Sequence, residues 1–271
     1  MMEEYLRATI RKHRRSALAV TAAHWAGRYL NAWHNTGFYD FDQNGERFLL
    51  ETARKIHNRP LTVWDVGAHE GEYALAVHSV MPSAKVTSFE ILPQVAAKLR
   101  AKNLDAQWFT LQEIGLSDRP GTVDVTYNHK FHTTNAINPR NEIWLNHDEV
   151  EVVKCSVSTV DELVSSGSTA PDILKIDVEG HEAAVLDGAQ ALLGGDQAPI
   201  LVQFEYGATW IPSSRTLCQV QTKLEACGYA VGRLYSDHVS FKPYEYSDEH
   251  YRMGNMVAVR DHELQKALSA A

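Results

Sequence analysis

The stretch VWDVGAHEGEY, residues 63–73, constrains the fold of this 271-residue chain more than any other. It joins a short apolar run to a turn with two glycines and then to a segment of helical periodicity. Gly67 and Gly71 permit backbone conformations and close approaches that a Cβ disfavours, and the amides at a helix start point outward. The middle glycine of the dinucleotide pattern G-x-G-x-x-G is absent. The stretch therefore predicts a strand, a turn and a helix that bind a small molecule other than a pyrophosphate.

An acidic residue further along supports a nucleoside site. The apolar run at 86–89 ends at Glu90, and Pro93 opens a second helix-like stretch. Glu90 lies nineteen residues after Gly71. A carboxylate at the tip of the second strand accepts hydrogen bonds from both ribose hydroxyls. Taken alone, Glu90 also fits a solvated loop, but together with the glycine turn it predicts ribose binding.

Strand and helix patterns alternate along most of the chain. Strands are predicted at 61–66, 85–89, 106–112, 173–178 and 200–204, and helices at 45–57, 71–80, 93–102, 182–193 and 214–227. This alternation predicts parallel pairing with right-handed crossovers. Two half-exposed strands are predicted at 121–127 and 151–157, and a final antiparallel pair at 231–234 and 255–259. We therefore expect an α/β domain at 38–271 that follows an N-terminal helical extension at 1–37.

Composition excludes several function classes. The 26 basic and 34 acidic side chains give a net charge of −8, which argues against general nucleic-acid binding. The three cysteines match no zinc or disulfide framework, so a cytoplasmic location is the simplest expectation. No apolar run reaches the roughly 18–20 residues of a membrane span, and no signal peptide is recognisable.

The first 29 residues differ from the rest because they are net positive. Their charged side chains are Arg7, Arg11, Lys12, Arg14, Arg15 and Arg28 against Glu3 and Glu4. Leu18, Ala22, Trp25 and Tyr29 recur at helical spacing and predict an amphipathic helix. One interpretation is contact with an anionic membrane surface or a partner. The other, which we favour, is packing on the chain's own domain or in a homo-oligomer, because interfacial helices usually have a larger apolar face.

A long polar segment at 129–149 interrupts the alternation and carries the aromatic residues Phe131 and Trp144. Insertions of this length are often lids over a binding site. We therefore predict that this segment closes over a substrate.

Charged residues occur where a buried strand should be apolar. Lys175 and Asp177 lie two residues apart in the strand at 173–178 and so share one face. They form a buried ion pair, or Asp177 reaches the crevice at the carboxyl ends of the strands. Glu205 ends the next strand at the same edge, and two neighbouring carboxylates raise one pKa toward the range of a general base. His181, just after Gly180, is either a helix-start residue or a titrating base.

Four segments together resemble the FkbM-type methyltransferases. They are VWDVGAHEGEY at 63–73, SFEILP at 88–93, IGLSD at 114–118 and DILKIDVEGHEAAVLDGA at 172–189. The last segment is the most specific, and the resemblance extends over about residues 38–260. It implies a class I, Rossmann-like fold with a seven-stranded, mostly parallel sheet. It also implies S-adenosylmethionine as the cofactor and a hydroxyl of a sugar, glycolipid or polyketide-like natural product as the methyl acceptor.

The resemblance assigns cofactor contacts to Asp65, Gly67, His69, Gly71, Glu90, Ser117, Asp118 and Asp177. Glu90 would hold the ribose, and Ser117 and Asp118 would lie near the adenine. His69 stands where the family commonly has Asn, and an imidazole there makes cofactor binding sensitive to pH.

The same resemblance places Asp177, Glu179, His181 and Glu205 nearest the transferred methyl group. We predict that His181 accepts the hydroxyl proton while Asp177 and Glu205 position the oxygen. The three carboxylates also offer ligands to a cation such as Mg²⁺, although the spacing does not require a metal. A non-catalytic cofactor- or glycan-binding module is the alternative function. A nicotinamide-dependent oxidoreductase is disfavoured by the glycine spacing.

Overall fold

The structure is a computed structural model that describes residues 1–128, Ile137 and residues 150–269. The strands are β1 Thr62–Val66, β2 Lys85–Phe89, β3 Phe109–Gln112, β4 Gly115–Leu116, β5 Gly121–Asn128, β6 Val150–Ser158, β7 Ile173–Ile176, β8 Leu201–Tyr206, β9 Ala230–Leu234, β10 Val239–Phe241 and β11 Gly254–Val259. The helices are α1 Met2–His13, α2 Ala17–Trp33, α3 Glu46–His57, α4 Glu72–Val80, α5 Pro93–Ala101, α6 Val160–Ser165, α7 Glu182–Asp187, α8 Gln190–Gly194, α9 Leu217–Ala226 and α10 His262–Ser269.

The central sheet has the strand order β10-β9-β11-β8-β7-β1-β2-β3. Strands β3, β2, β1, β7 and β8 pair in parallel, and β11 runs antiparallel between β8 and β9. The predicted α/β class with a mostly parallel sheet is confirmed. The sheet has eight strands rather than seven because β10 pairs antiparallel with the outer edge of β9. A three-residue strand is too short to show a period-2 pattern in the sequence.

A second sheet, with the order β4-β6-β5, lies apart from the first. Its main pair is antiparallel, with Val123 opposite Cys155, which confirms the two half-exposed strands predicted from the alternating pattern. Val125, Tyr127 and Cys155 pack with Leu92 and Val95 at the start of α5. The second sheet is therefore fixed beside the turn that follows β2.

Helices cover both faces of the central sheet. In β1, Val63 packs on one side with Leu49 of α3, while Trp64 packs on the other with Val185 of α7. Because helices cover both faces, the side chains on either face of a strand meet an apolar layer, and the strands are therefore apolar almost throughout. Asp65 in β1 and Lys175 in β7 are charged exceptions, and they pair with each other.

Several element boundaries differ from the prediction, and two of them bear on the site. The helix predicted at 182–193 is divided into α7 and α8 around Gly188. A Cβ on Gly188 would collide with the carbonyl oxygen of Ser117, because the backbone at Gly188 packs directly against the backbone at Ser117. The strand predicted at 173–178 ends at Ile176, which leaves Asp177 as the first residue of the following loop.

The N-terminal extension forms two helices, α1 and α2, and neither contains a buried residue. Trp25 is 62% exposed and Leu18 is 85% exposed. Packing of these helices on their own domain, one of the arrangements that we favoured, is therefore not seen. Among the described residues, no helix is both long enough and apolar enough to cross a lipid bilayer.

We expect that removal of residues 2–29 changes the free energy of unfolding of the domain by less than about 0.5 kcal/mol, the usual range for surface changes. The physical reason is that α1 and α2 bury no side chain. Thermal denaturation of the full and shortened chains at equal concentration measures the difference. A large loss of stability that disappears on dilution of the full chain would show instead that α1 and α2 stabilise an oligomer.

Candidate active site

A cavity of about 300 Å³ opens at the carboxyl ends of β1, β2, β7 and β8, beside the point where the strand order reverses. Open α/β sheets bind ligands at this position. Its lining residues are Tyr39, Val66, Gly67, His69, Phe89, Glu90, Ile91, Leu92, Val95, Gly115, Leu116, Val125, Ile137, Asp177, Val178, Glu179 and Glu205. The cavity therefore joins the glycine turn to the acidic strand ends.

The turn after β1 is packed directly against the loop after β7. Gly67 has a φ of +87°, and a Cβ there would collide with the backbone carbonyl oxygen of Asp177. The N–H groups of Gly67 and Ala68 both donate to the carbonyl oxygen of Phe89, each at 3.0 Å. Only glycine allows this conformation and this approach together. The backbone wall of the cavity is therefore built from three adjacent strand ends.

Glu90 connects the first two strand ends. Its Oε2 accepts from the N–H of His69 and its Oε1 from the N–H of Leu92, each at 2.9 Å. Burial raises the pKa of Glu90 to about 7, although both backbone hydrogen bonds favour the carboxylate. Glu90 is thus a buried carboxyl that faces the cavity and fixes the turns on both sides of it.

Beneath the cavity, Lys175 forms ion pairs with two carboxylates. Its Nζ lies 3.3 Å from Oδ1 of Asp65 and 3.4 Å from Oδ2 of Asp177. Asp65 is fully buried and also accepts from Ser88 Oγ at 3.2 Å. Both alternatives raised by the sequence are therefore present, because Lys175 seals the sheet while Asp177, with its side chain 39% exposed, also reaches the cavity.

The electrostatics of this group follow from its burial. Desolvation lowers the pKa of Lys175, but the carboxylates of Asp65 and Asp177 outweigh it and raise that pKa above its ordinary value. Burial raises the pKa of Asp65 and Lys175 opposes this shift. The raised pKa of Lys175 favours a charged ion pair, whereas the raised pKa of Asp65 favours a protonated, neutral carboxyl group. We take Lys175 as protonated, since it contacts two carboxylates, and Asp65 as its ionised partner.

Glu205 lies at the centre of an acidic cluster. Potential ligand atoms of Asp177, Glu182 and Glu205 all lie within 4.8 Å of one another. Burial, followed by the charge of Asp177, raises the pKa of Glu205 well above its usual range. Its Oε2 is buried and has no hydrogen-bond partner among the described residues. A buried polar atom without a hydrogen-bond partner destabilises the folded protein, so this oxygen is available to a bound ligand.

Glu182, in contrast, is engaged by the protein itself. Its carboxylate accepts from the N–H of Val178 at 3.0 Å and from that of Gly180 at 3.0 Å and 3.1 Å. These bonds hold the loop after β7, in which Gly180 has a φ of +100° and Glu179 a φ of +55°. Glu182 is therefore the residue that shapes the loop carrying Asp177.

Some predicted site residues lie away from the cavity. His181 is half-buried, with its Nε2 2.9 Å from Ser117 Oγ, and Ser117 Oγ also donates to Asp118 at 3.0 Å. Burial lowers the pKa of His181. None of these three residues lines the cavity. Of the other predicted cofactor positions, Gly67, His69, Glu90 and Asp177 line it, whereas Asp65 lies beneath it and Gly71 begins α4.

An apolar wall of the cavity was not predicted. Ile91 and Leu92 follow β2, Leu116 belongs to β4, and Val125 projects from β5. The positions of Ile91 and Leu92 directly after Glu90 could have indicated that they line the cavity. Leu116 and Val125 belong to the second sheet, which reaches the cavity only through tertiary packing. The lid predicted at 129–149 lies outside the described residues, except for Ile137, which lines this wall.

A smaller cavity of about 100 Å³ adjoins the first and shares Tyr39, Asp177 and Glu205 with it. Its remaining lining residues are Asn35, Gly37, Phe38, Asn44, Glu46, Met253, Gly254 and Asn255. This lining is mainly polar. Asp177 and Glu205 therefore stand between an apolar-walled cavity and a polar one.

The strand order with one antiparallel strand between two parallel ones, and a cavity at the switch point, define a class I S-adenosylmethionine-dependent methyltransferase fold. The sequence also matches the family described as the Methyltransferase FkbM domain over residues 65–231. The chain therefore belongs to the FkbM methyltransferase family, as its motifs predicted. No protein of curated function matches the sequence.

Solved methyltransferase structures resemble the chain at low sequence identity. Precorrin-6y C5,15-methyltransferase from Geobacter metallireducens GS-15 is 14% identical, with a TM-score of 0.43 over 79% of this chain and 87% of that one. A putative caffeoyl-CoA O-methyltransferase from Staphylococcus aureus is 10% identical, with a TM-score of 0.41 over 96% and 100%. A plantazolicin methyltransferase in complex with SAH is 8% identical, with a TM-score of 0.46 over 92% and 93%. The family assignment rests on the sequence match and not on these structures.

Proposed function

We propose that the protein transfers a methyl group from S-adenosylmethionine to a hydroxyl of a sugar, glycolipid or polyketide-like natural product. The observation that carries this proposal is the buried carboxylate oxygen of Glu205 beside Asp177, where the two cavities meet, which has no hydrogen-bond partner in the described part of the chain. A hydroxyl placed there finds an acceptor for its proton and a second carboxylate to orient it.

The larger cavity suits the cofactor. Gly67 provides a backbone cradle that a Cβ would fill, and Glu90 supplies carboxylate oxygens that would accept hydrogen bonds from the ribose hydroxyls. Ile91, Leu92 and Leu116 offer apolar contact to a flat ring. The bound cofactor would supply an electrophilic methyl group on a sulfonium. The protein then has to align the acceptor oxygen and remove its proton, and no covalent enzyme intermediate is required.

The smaller cavity suits the acceptor. Asn255 brings a side-chain amide to its lining, which can donate to and accept from hydroxyl groups, whereas Asn35 donates to two backbone carbonyls and Asn44 is hydrogen-bonded to Glu46. Asn255 is also paired in register with Glu205 across β11 and β8. A hydroxylated acceptor would therefore meet the amide of Asn255 beside the carboxylates of Asp177 and Glu205.

We assign proton removal to Glu205 instead of His181. Glu205 lines both cavities, whereas His181 lines neither and is hydrogen-bonded to Ser117. The sequence alone suggested His181 because an imidazole titrates near neutral pH. Burial, followed by the charge of Asp177, raises the pKa of Glu205, which makes its carboxylate a stronger proton acceptor than that of an ordinary glutamate. His181 then supports the loop through its contact with Ser117.

Lys175 provides the positive charge that a metal would otherwise supply. Its ammonium is 3.4 Å from Asp177, and the carboxylate of Glu182 is already occupied by backbone N–H groups. We therefore propose methyl transfer without Mg²⁺. Turnover in the presence of EDTA, compared with turnover after Mg²⁺ is added back, tests this point.

Ligand binding discriminates the proposal from its rivals. Calorimetry should show binding of S-adenosylhomocysteine and none of NAD. A panel of glycans, glycolipids and hydroxylated natural products with radiolabelled S-adenosylmethionine then tests for transfer. Cofactor binding without transfer to any hydroxylated acceptor would favour a non-catalytic binding module.

We expect Glu90→Ala to weaken binding of S-adenosylhomocysteine by about 1.5–3 kcal/mol, the scale of hydrogen bonds to a charged group. The change removes the ribose acceptor and also frees the N–H groups of His69 and Leu92. Calorimetry of the variant gives the difference, and Glu113→Ala, at an exposed carboxylate paired with Arg100, is the control. Unchanged affinity in Glu90→Ala would remove Glu90 from the ribose site.

A further inference from the structure

A separate cavity of about 280 Å³ lies beside β9, against α9 and β10. We name it the β9 cavity. Its lining residues are Trp33, His34, Leu217, Gln221, Val231, Gly232, Arg233, Tyr235, Ser240, Lys242, Asp248, His250 and Met256. It shares no lining residue with either cavity of the candidate active site.

The β9 cavity contains a buried arginine that has no carboxylate partner. Arg233 is 8% exposed, and among the described residues no acidic side chain lies within ion-pair distance of its guanidinium. Its Nε donates to the carbonyl oxygen of His34 at 2.6 Å. Its Nη2 donates to the carbonyl oxygens of Met253 at 2.9 Å and Arg252 at 3.2 Å and to Thr36 Oγ1 at 3.3 Å. Its Nη1 donates to no group among the described residues. A buried cation is normally paired, so this guanidinium lacks an anion.

Other donors face the same space. The rings of His34 and His250 lie 4.6 Å apart, and burial together with the charge of Arg233 lowers the pKa of both. Lys242 also lines the cavity, where it pairs with Asp248 at 2.7 Å. Asp248, the acidic residue in this lining, is therefore already neutralised.

We propose that the β9 cavity binds the phosphate group of a small ligand, held by Arg233 and by the imidazoles of His34 and His250. Arginine binds phosphate through paired N–H donors, and the ordered guanidinium loses little freedom when it does so. The cavity exceeds the size of a phosphate ion, and Trp33 and Tyr235 in its lining offer aromatic faces to a sugar ring. The proposal is independent of methyl transfer.

Inorganic phosphate is the first probe, with chloride at equal ionic strength as its reference. In NMR spectra of the full chain, we expect saturable shifts of the His34 and His250 imidazole signals, with no shift of the exposed His262. Glucose 6-phosphate that binds more tightly than inorganic phosphate would identify a sugar phosphate as the ligand, and equal affinity would identify free phosphate. Shifts that never saturate, or that include His262 equally, would overturn the proposal.

Variants test the residues directly. Arg233→Gln should weaken phosphate binding about ten- to hundredfold, the scale of hydrogen bonds to a charged group. Because Arg233 also ties three backbone carbonyls, Lys242→Gln is the second variant, with an expected loss of about two- to fivefold. Lys223→Gln is its matched control, since Lys223 pairs with Asp187 outside the cavity. Unchanged phosphate affinity in a folded Arg233→Gln protein would refute the site.

Discussion

Glu205→Gln is expected to lower methyl transfer about 10²–10⁴-fold, the usual loss on removal of a general base. The amide keeps the size of the side chain but cannot accept the hydroxyl proton. Affinity for S-adenosylhomocysteine should change little, because Glu205 lies where the larger cavity meets the smaller one and the proposed cofactor contacts, Gly67 and Glu90, are unchanged. Single-turnover rates with labelled cofactor measure the loss.

The control for this experiment is His181→Ala, which should retain activity within a few-fold because His181 lines neither cavity. The pH dependence provides a second check. Since burial raises the pKa of Glu205, the ionised base forms only as pH rises through that raised value. Activity of the parent should therefore rise with pH above the range of an ordinary glutamate, and Glu205→Gln should lose this rise. An inactive His181→Ala with a normal Glu205→Gln would return the role of base to His181.

Lys175→Met is expected to lower the free energy of unfolding by about 3–5 kcal/mol, the scale for removing one partner of a buried ion pair. The variant leaves Asp65 fully buried beside Ser88 with no opposite charge. It also removes the ammonium that lies 4.8 Å from the centre of the Tyr73 ring. Chemical denaturation measures the loss.

The double variant Lys175→Met with Asp65→Asn is the matched control, because it removes both charges. It should recover more than half of the lost free energy, since the remaining cost is packing and not an unpaired charge. Equal stability of the single and double variants would show that Asp65 carries no costly unpaired charge once Lys175 is removed. In that case the pairing assigned to Lys175 does not stabilise the fold.

The sequence predicted the parts of the site that follow from strand order. Parallel strands end at one edge, so Gly67, Glu90, Asp177 and Glu205, each at or near a strand end, could be expected to meet. The structure places all four around one cavity. The apolar runs and the positions where they end are enough to predict this arrangement, because parallel pairing fixes the direction of the strands.

Other features depend on contacts that no local pattern records. Tyr39 and Val125 reach the cavity from outside the βα alternation, and β10 is too short for a periodic signal. His181 occupies a strand-end position in the sequence, yet its ring is directed to Ser117. Side-chain direction in a loop is decided by local backbone geometry, here the left-handed Glu179 and Gly180, and not by spacing.

The contact between Gly67 and the carbonyl of Asp177 joins two loops that serve different molecules. The loop after β1 contributes to the proposed cofactor site and the loop after β7 to the proposed acceptor site, and no side chain lies between them at Gly67. A shift of either loop must displace the other. Substitutions that change the acceptor are therefore expected to be tolerated in segments beyond this junction, such as residues 35–39 and 253–255, and not at the junction itself.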